Sequence, residues 1–193
     1  MEKANQDNNL SFQPLNSSNF SDFEFLFTEK GACEGCWCMQ CRLQADEFEA
    51  GRGEGNRLAM KALVESGQIP GIIVYNDNEP VGWCSLGNRE DFPRLPKSHE
   101  TQIIDEQTWI ISCLFIRRDW RRRGVKRALL GHLITYCKTQ GAKVLESHQC
   151  NSNFSKYPDN FAWAGIQKAY EAMGFQKVDT ESDKRPIMRY QLD

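Results

Sequence analysis

The sequence predicts a mixed α/β fold, and three observations carry that prediction. Residues 109–116, WIISCLFI, are almost continuously apolar, as suits a central strand covered on both faces. After an arginine-rich turn, Val125, Leu129, Leu133 and Leu130, Ile134, Cys137 recur at helical spacing, so the chain changes its period from about 2 to about 3.6. Past Gly141, residues 142–146 read as a strand again, and a strand, helix, strand order makes parallel neighbours through a crossover.

The other elements follow in order. Residues 1–9 are polar and read as a disordered tail; a short strand follows over 10–15, then a helix over 19–29 that Gly31 ends. A cysteine-rich segment leads to helical patterns at 45–48 and 56–66, and Gly67 and Pro70 mark the passage into a strand over 72–75. The polar turn 76–79 joins it to a strand over 81–86, which predicts an antiparallel hairpin. The connection 87–107 is long enough to suggest a functional loop. A helix over 164–173, stopped by Gly174, and strands over 175–178 and 187–191 complete the chain.

At 193 residues the chain fits one domain, expected over 10–193. It has no run of 18 apolar residues and its N-terminus lacks a charged start followed by an apolar stretch, so a cytoplasmic protein without membrane partners is expected. In that setting the eight cysteines are expected to be thiols or metal ligands rather than a disulfide framework. Charge is unevenly spread. Seven of the eleven residues from 117 to 127 are basic and one is acidic, giving +6 against −8 for the rest of the chain. A nucleic-acid binder would more often be basic throughout, so no nucleic-acid partner is expected.

The turn before the second helix has the makings of an anion site. A helix begun there leaves its first N–H groups unpaired, with the positive end of the dipole behind them. Arg121, Arg122, Arg123, Gly124, Val125 and Lys126 resemble the acetyl-CoA-binding signature of the GNAT acetyltransferase superfamily: Arg or Gln, two residues, Gly, one residue, then Gly or Ala. Lys126 departs from that pattern, and its side chain would either crowd the phosphates or contact them as a point charge. Arg127 continues the basic turn. The resemblance implies a GNAT-like acyl-CoA N-acyltransferase fold, a twisted mixed sheet with helices on both faces. It also implies acetyl-CoA as cosubstrate, with Leu114, Phe115 and Ile116 giving main-chain bonds to the thioester carbonyl and the pantetheine arm.

A second segment, AYEAMGF over 169–175, resembles the superfamily's late helix, whose tyrosine stands near the leaving thiolate. By that resemblance Tyr170 is the candidate acid, donating as charge develops on sulfur. Trp163 stands where the family often has Asn, which departs from its pantetheine contact. CWCM, EFEAGRGEGNR and GWC with REDFPRL resemble a bacterial branch of the superfamily.

A protonated amine must lose its proton before or during attack, so a base is expected. Glu146 and His148 share a strand face and are the candidates, with ordered water as the alternative. The acceptor would be a small-molecule or peptide amine, met by Trp37, Trp83, Asp91, Phe92 and Trp163. The resemblance also makes a homodimer a common assembly.

Cys33, Cys36, Cys38 and Cys41 form two C-x-x-C hooks one residue apart, too close for the usual zinc pattern, so packed thiols rather than a metal site are expected. Gly51, Gly53 and Gly55 miss the dinucleotide fingerprint, and His99 and His132 lack metal spacing. Two rival readings stand beside the acetyltransferase: a coenzyme A binder without catalysis, and a metal-stabilised nucleic-acid binder using the arginines and cysteines.

Overall fold

The structure, a computed structural model of the chain, describes residues 9–28, 35–95, 107–148, 167–178 and 187–192. Among them runs a seven-stranded sheet formed by β1 (Leu10–Pro14), β2 (Gly71–Asn76), β3 (Glu79–Asn88), β4 (Thr108–Ile116), β5 (Val144–Ser147), β6 (Gln176–Val178) and β7 (Ile187–Gln191). Their spatial order is β1-β2-β3-β4-β5-β7-β6. Only β4 and β5 pair in parallel, through the predicted crossover; the other neighbours are antiparallel.

Helices cover both faces. Helix α1 (Phe20–Thr28), α2 (Ala45–Ala50) and α3 (Glu54–Glu65) lie on one side, where Phe23, Leu26, Phe48, Met60 and Val64 pack on Ile73, Tyr75 and Trp83. Helix α4 (Val125–Thr139) lies on the other, where Val125, Leu129, Leu130, Leu133 and Cys137 meet Ile72, Val74, Cys84, Leu86 and Ile111. Alternate residues of β2 and β3 serve opposite cores, which explains their unbroken apolar reading. Each buried Leu of α4 contributes about 1.5–3 kcal/mol by leaving water.

The predicted tail 1–9 lies outside the described residues except Asn9, as do Glu29, Gly31, Cys33, His99, Trp163 and residues 164–166 of the predicted late helix. Among the described residues that helix spans 167–171 and turns at 172–174. No described helix is long and apolar enough to cross a membrane.

Candidate active site

The chain leaves β4 at Ile116, makes a single 3-10 turn over Arg118–Trp120 and enters α4 through residues 121–124. Two of those residues are left-handed, Arg122 at φ +63° and Gly124 at φ +81°. That conformation costs a residue with a Cβ about 1–2 kcal/mol, and Gly124 avoids the cost. A Cβ there would meet nothing within 4 Å, so backbone shape rather than crowding calls for glycine, and the space beside it is open. Gly124 caps α4 without any side-chain bond, and the first turn has no acid. The helix ladder begins with Ala128 N–H to Gly124 O at 3.1 Å, which leaves the N–H groups of Val125, Lys126 and Arg127 facing the turn.

Around these donors stand the exposed side chains of Arg121, Arg122, Arg123 and Arg127. Arg121 Nε–H donates to Ile116 O at 3.0 Å, and the Arg123 guanidinium lies 4.9 Å from the Trp120 ring centre. Lys126 is half-buried; burial and then the neighbouring Arg121 charge pull its pKa down, and an anion would relieve both. Arg117 is different. It is buried and donates to Pro80 O at 3.1 Å and to the carboxylates of Glu79 and Asp119, so the basic run is not one surface.

The strand before this turn is open along half its length. Residues Thr108 to Ile111 of β4 pair with β5, and the last contact is His148 N–H to Ile111 O at 2.8 Å. The register against β3 then slips between Ser85 and Leu86, leaving Ser112 as the extra residue of a bulge that turns the strand away. From Cys113 to Ile116, β4 has β3 on one side and no strand on the other among the described residues. The Arg117 N–H to Val81 O bond at 3.0 Å fixes the alternation. Leu114 and Ile116 therefore turn their main-chain groups to the open side, whereas Phe115 turns its own to β3. Of the three residues expected to offer main-chain bonds, Phe115 does not; its side chain packs towards α1 and α3. Leu114 and Ile116 pack towards α4.

Beside this open edge the two faces of the sheet carry different chemistry. On the α4 face Tyr170 is fully buried, its ring edge-on to Phe175 at 4.9 Å, yet among the described residues neither its hydroxyl nor that of buried Ser147 makes a well-formed hydrogen bond. Burial pushes the Tyr170 pKa well up and the Ser147 hydroxyl pulls the other way, so the phenol stays protonated and able to donate. On the opposite face Glu146 and His148 are nearly inaccessible, at 1 % and 3 % exposure, and both are bonded. Glu146 Oε2 lies 2.7 Å from His148 Nε2, while Oε1 accepts from Arg189 Nε at 2.8 Å and Nη2 at 2.7 Å. Burial pushes the Glu146 carboxyl up, but His148 and then Arg189 outweigh it and hold the pKa below its ordinary value. Both carboxylate oxygens are thus engaged.

The residues expected to meet an acceptor are mostly core. Trp83 and Phe92 are fully buried, Trp37 is 7 % exposed and stacks on Phe27 at 5.3 Å, and Asp91 accepts from Asn88 N–H and lies 3.9 Å from Arg42. Sequence reasoning missed Ser147 and Arg189. Strand alternation places Ser147 between Glu146 and His148 with its side chain on the other face, a signal present in the sequence; Arg189 comes from β7, 43 residues away, and carries none. Among the described cysteines, Cys36, Cys38, Cys84, Cys113 and Cys137 are free, but Cys41 is disulfide-bonded, against the expectation of a thiol or metal ligand there. Among the described residues no group of three or more His, Cys, Asp or Glu could hold a metal ion.

The fold has many solved relatives. An N-acetyltransferase from Staphylococcus aureus Mu50 superposes with TM-score 0.58 at 13 % identity, covering 96 % of this chain and 99 % of that one. PaiA N-acetyltransferase from Thermoplasma acidophilum, in complex with coenzyme A, gives TM-score 0.55 at 15 % identity over 94 % and 98 % of the two chains. YncA of Salmonella typhimurium, with its cofactor acetyl-CoA, gives 0.55 at 15 % over 96 % and 95 %. No curated protein matches by sequence. The model of the Acetyltransferase (GNAT) family matches residues 37–175, well over half of the sequence, and the chain belongs to that family.

Proposed function

We propose that the chain uses acetyl-CoA to acetylate a primary amine of a small molecule or peptide by direct attack, as one domain over 10–193 in the cytoplasm. The observation that carries this reading is the alignment of two backbone sets that lack main-chain partners among the described residues: the first N–H groups of α4 and the open half of β4, where Arg121 Nε–H alone reaches Ile116 O. The N–H groups of residues 125–127, with Arg121, Arg122, Arg123 and Arg127 around them, take the pyrophosphate, and Lys126 contacts it as a point charge. The main chain of Leu114 and Ile116 takes the pantetheine arm as an added half-strand and aims an N–H at the carbonyl oxygen, where charge develops.

Tyr170 then stands on one side of the gap as the acid, donating its proton or a hydrogen bond to the departing sulfur. On the other side His148 removes the amine proton, directly or through water, with Glu146 holding its Nε2–H and Arg189 holding Glu146. This gives Glu146 a positioning role instead of the base itself, because a carboxylate with both oxygens occupied has little basicity to offer.

Thiol release from acetyl-CoA over a panel of primary amines tests the reading. Turnover with at least one amine, lost in Tyr170→Phe while acetyl-CoA still binds, supports it. Binding without turnover over the whole panel would leave a coenzyme A binder in its place.

A further inference from the structure

A second reactive constellation lies on the α1 and α3 face, outside the groups used for acetyl transfer. Trp37 and Cys38 are successive non-glycine residues in the left-handed region, at φ +47° and +55°. Such a pair is strained, and what the strain achieves is the seating of Cys38 Sγ 3.1 Å from the indole N–H of Trp83. Across the β3 and β4 ladder Trp83 opposes Phe115 and Ser85 opposes Cys113, so Trp83 and Cys113 are diagonal neighbours on one face. Cys36 and Cys113 both pack against the core that holds Cys38 and Trp83. The thiols thus gather beside one indole: Trp83 Nε1–H donates to Cys38 Sγ, and Cys113 lies next to Trp83 on the same face.

We propose that Cys113 and Cys38 form a redox-active thiol pair that reacts with small-molecule disulfides, Cys113 as the attacking sulfur and Cys38 as the resolving one. Cys113 is half-buried and Cys38 buried, which gives an external reagent access to Cys113 first. Hydrogen bonding by the Cys38 thiol pulls the Cys113 pKa down against burial, whereas burial first and then Cys113 push Cys38 up. Cys113 thiolate attacks one sulfur of the disulfide RSSR, forming Cys113–S–S–R and releasing one RS⁻. Cys38, losing its proton to solvent, then attacks the Cys113 sulfur and releases the second RS⁻. Two protein thiols are oxidised and one disulfide is reduced to two thiols. The new bond ties the turn at residues 35–38 to β4 one residue before Leu114, whatever reaction the open edge serves.

The test treats the native protein with less than one equivalent of dithiobis-nitrobenzoate, then alkylates and maps the peptides. The pair predicts release of two aromatic thiols per reacted molecule and a Cys38–Cys113 disulfide. In Cys38→Ser, which keeps a small polar side chain at the buried site, release stops at one thiol with the adduct on Cys113. The first step there is about three- to tenfold slower at pH 7, because thiolate fraction and nucleophilicity change in opposite directions. Trp83→Phe, which removes the donor to Cys38 Sγ, slows that step in the same direction. A first adduct elsewhere, a Cys36–Cys113 bond, or an unchanged rate in Cys38→Ser would overturn the proposal.

Discussion

The two sides of the gap beside β4 differ in how complete they are. On the side of Glu146, His148 and Arg189 every acceptor oxygen of the carboxylate is matched, and the group is set before any ligand arrives. On the side of Tyr170 and Ser147 two buried hydroxyls are left without a well-formed hydrogen bond among the described residues. An unmatched buried hydroxyl costs about 1–3 kcal/mol, so the fold tolerates on one side a cost it avoids on the other. The contrast suits a reaction whose proton acceptor must be oriented beforehand and whose proton donor must wait for a charge that appears only during transfer.

The largest effect expected from breaking this contrast is on turnover. Tyr170→Phe should lower kcat by about 100- to 10,000-fold, the range of general acid contributions, with acetyl-CoA affinity kept. The same change removes an unmatched hydroxyl, so thermal unfolding should show no loss of stability; a clear drop in Tm would mean that the hydroxyl has a structural partner. Glu146→Gln should do the reverse. Removing one member of a buried pair costs about 3–5 kcal/mol, reduced here because Arg189 is 21 % exposed, and chemical denaturation measures it. Its activity should shift in pH profile rather than vanish, since His148 keeps its ring but loses its holder.

A smaller effect concerns acid. The folded Glu146 pKa is depressed, so its stabilisation is full above the ordinary value of 4.5 and is lost as pH falls through the folded value. Denaturation of the wild type over that window should lose stability that Glu146→Gln does not have to lose. The smallest effect belongs to Lys126→Met, which should weaken acetyl-CoA a few-fold and flatten its salt dependence. Because the Lys126 pKa is lowered in the free protein, binding at alkaline pH should also take up a proton, and calorimetry in two buffers of different ionisation enthalpy reads this.

The strands and helices were legible because their periods differ and Gly67, Gly141 and Gly174 punctuate them. The glycine turn was legible for the same reason: one residue type at one position, Gly124, meets a backbone demand that shows in the sequence. Glu146 and His148 were found together because strand alternation is local. The bulge at Ser112 was not legible, since it arises from the register between β3 and β4, and with it went the distinction between Phe115 and its neighbours. Arg189 was hidden because its contact is made by a pairing across 43 residues. Trp83 and Phe92 misled because an aromatic side chain reads alike in a core and in a binding cleft; only burial separates the two.

If the start of α4 and the open half of β4 form one acetyl-CoA site, calorimetric titration with acetyl-CoA will separate the wild type from Arg123→Glu and Gly124→Asp. Micromolar binding by the wild type, weakened about 100-fold or more in both variants, is the predicted result, the glycine variant combining backbone strain with like-charge repulsion. No binding by the folded wild type, or equal binding by all three, would contradict it.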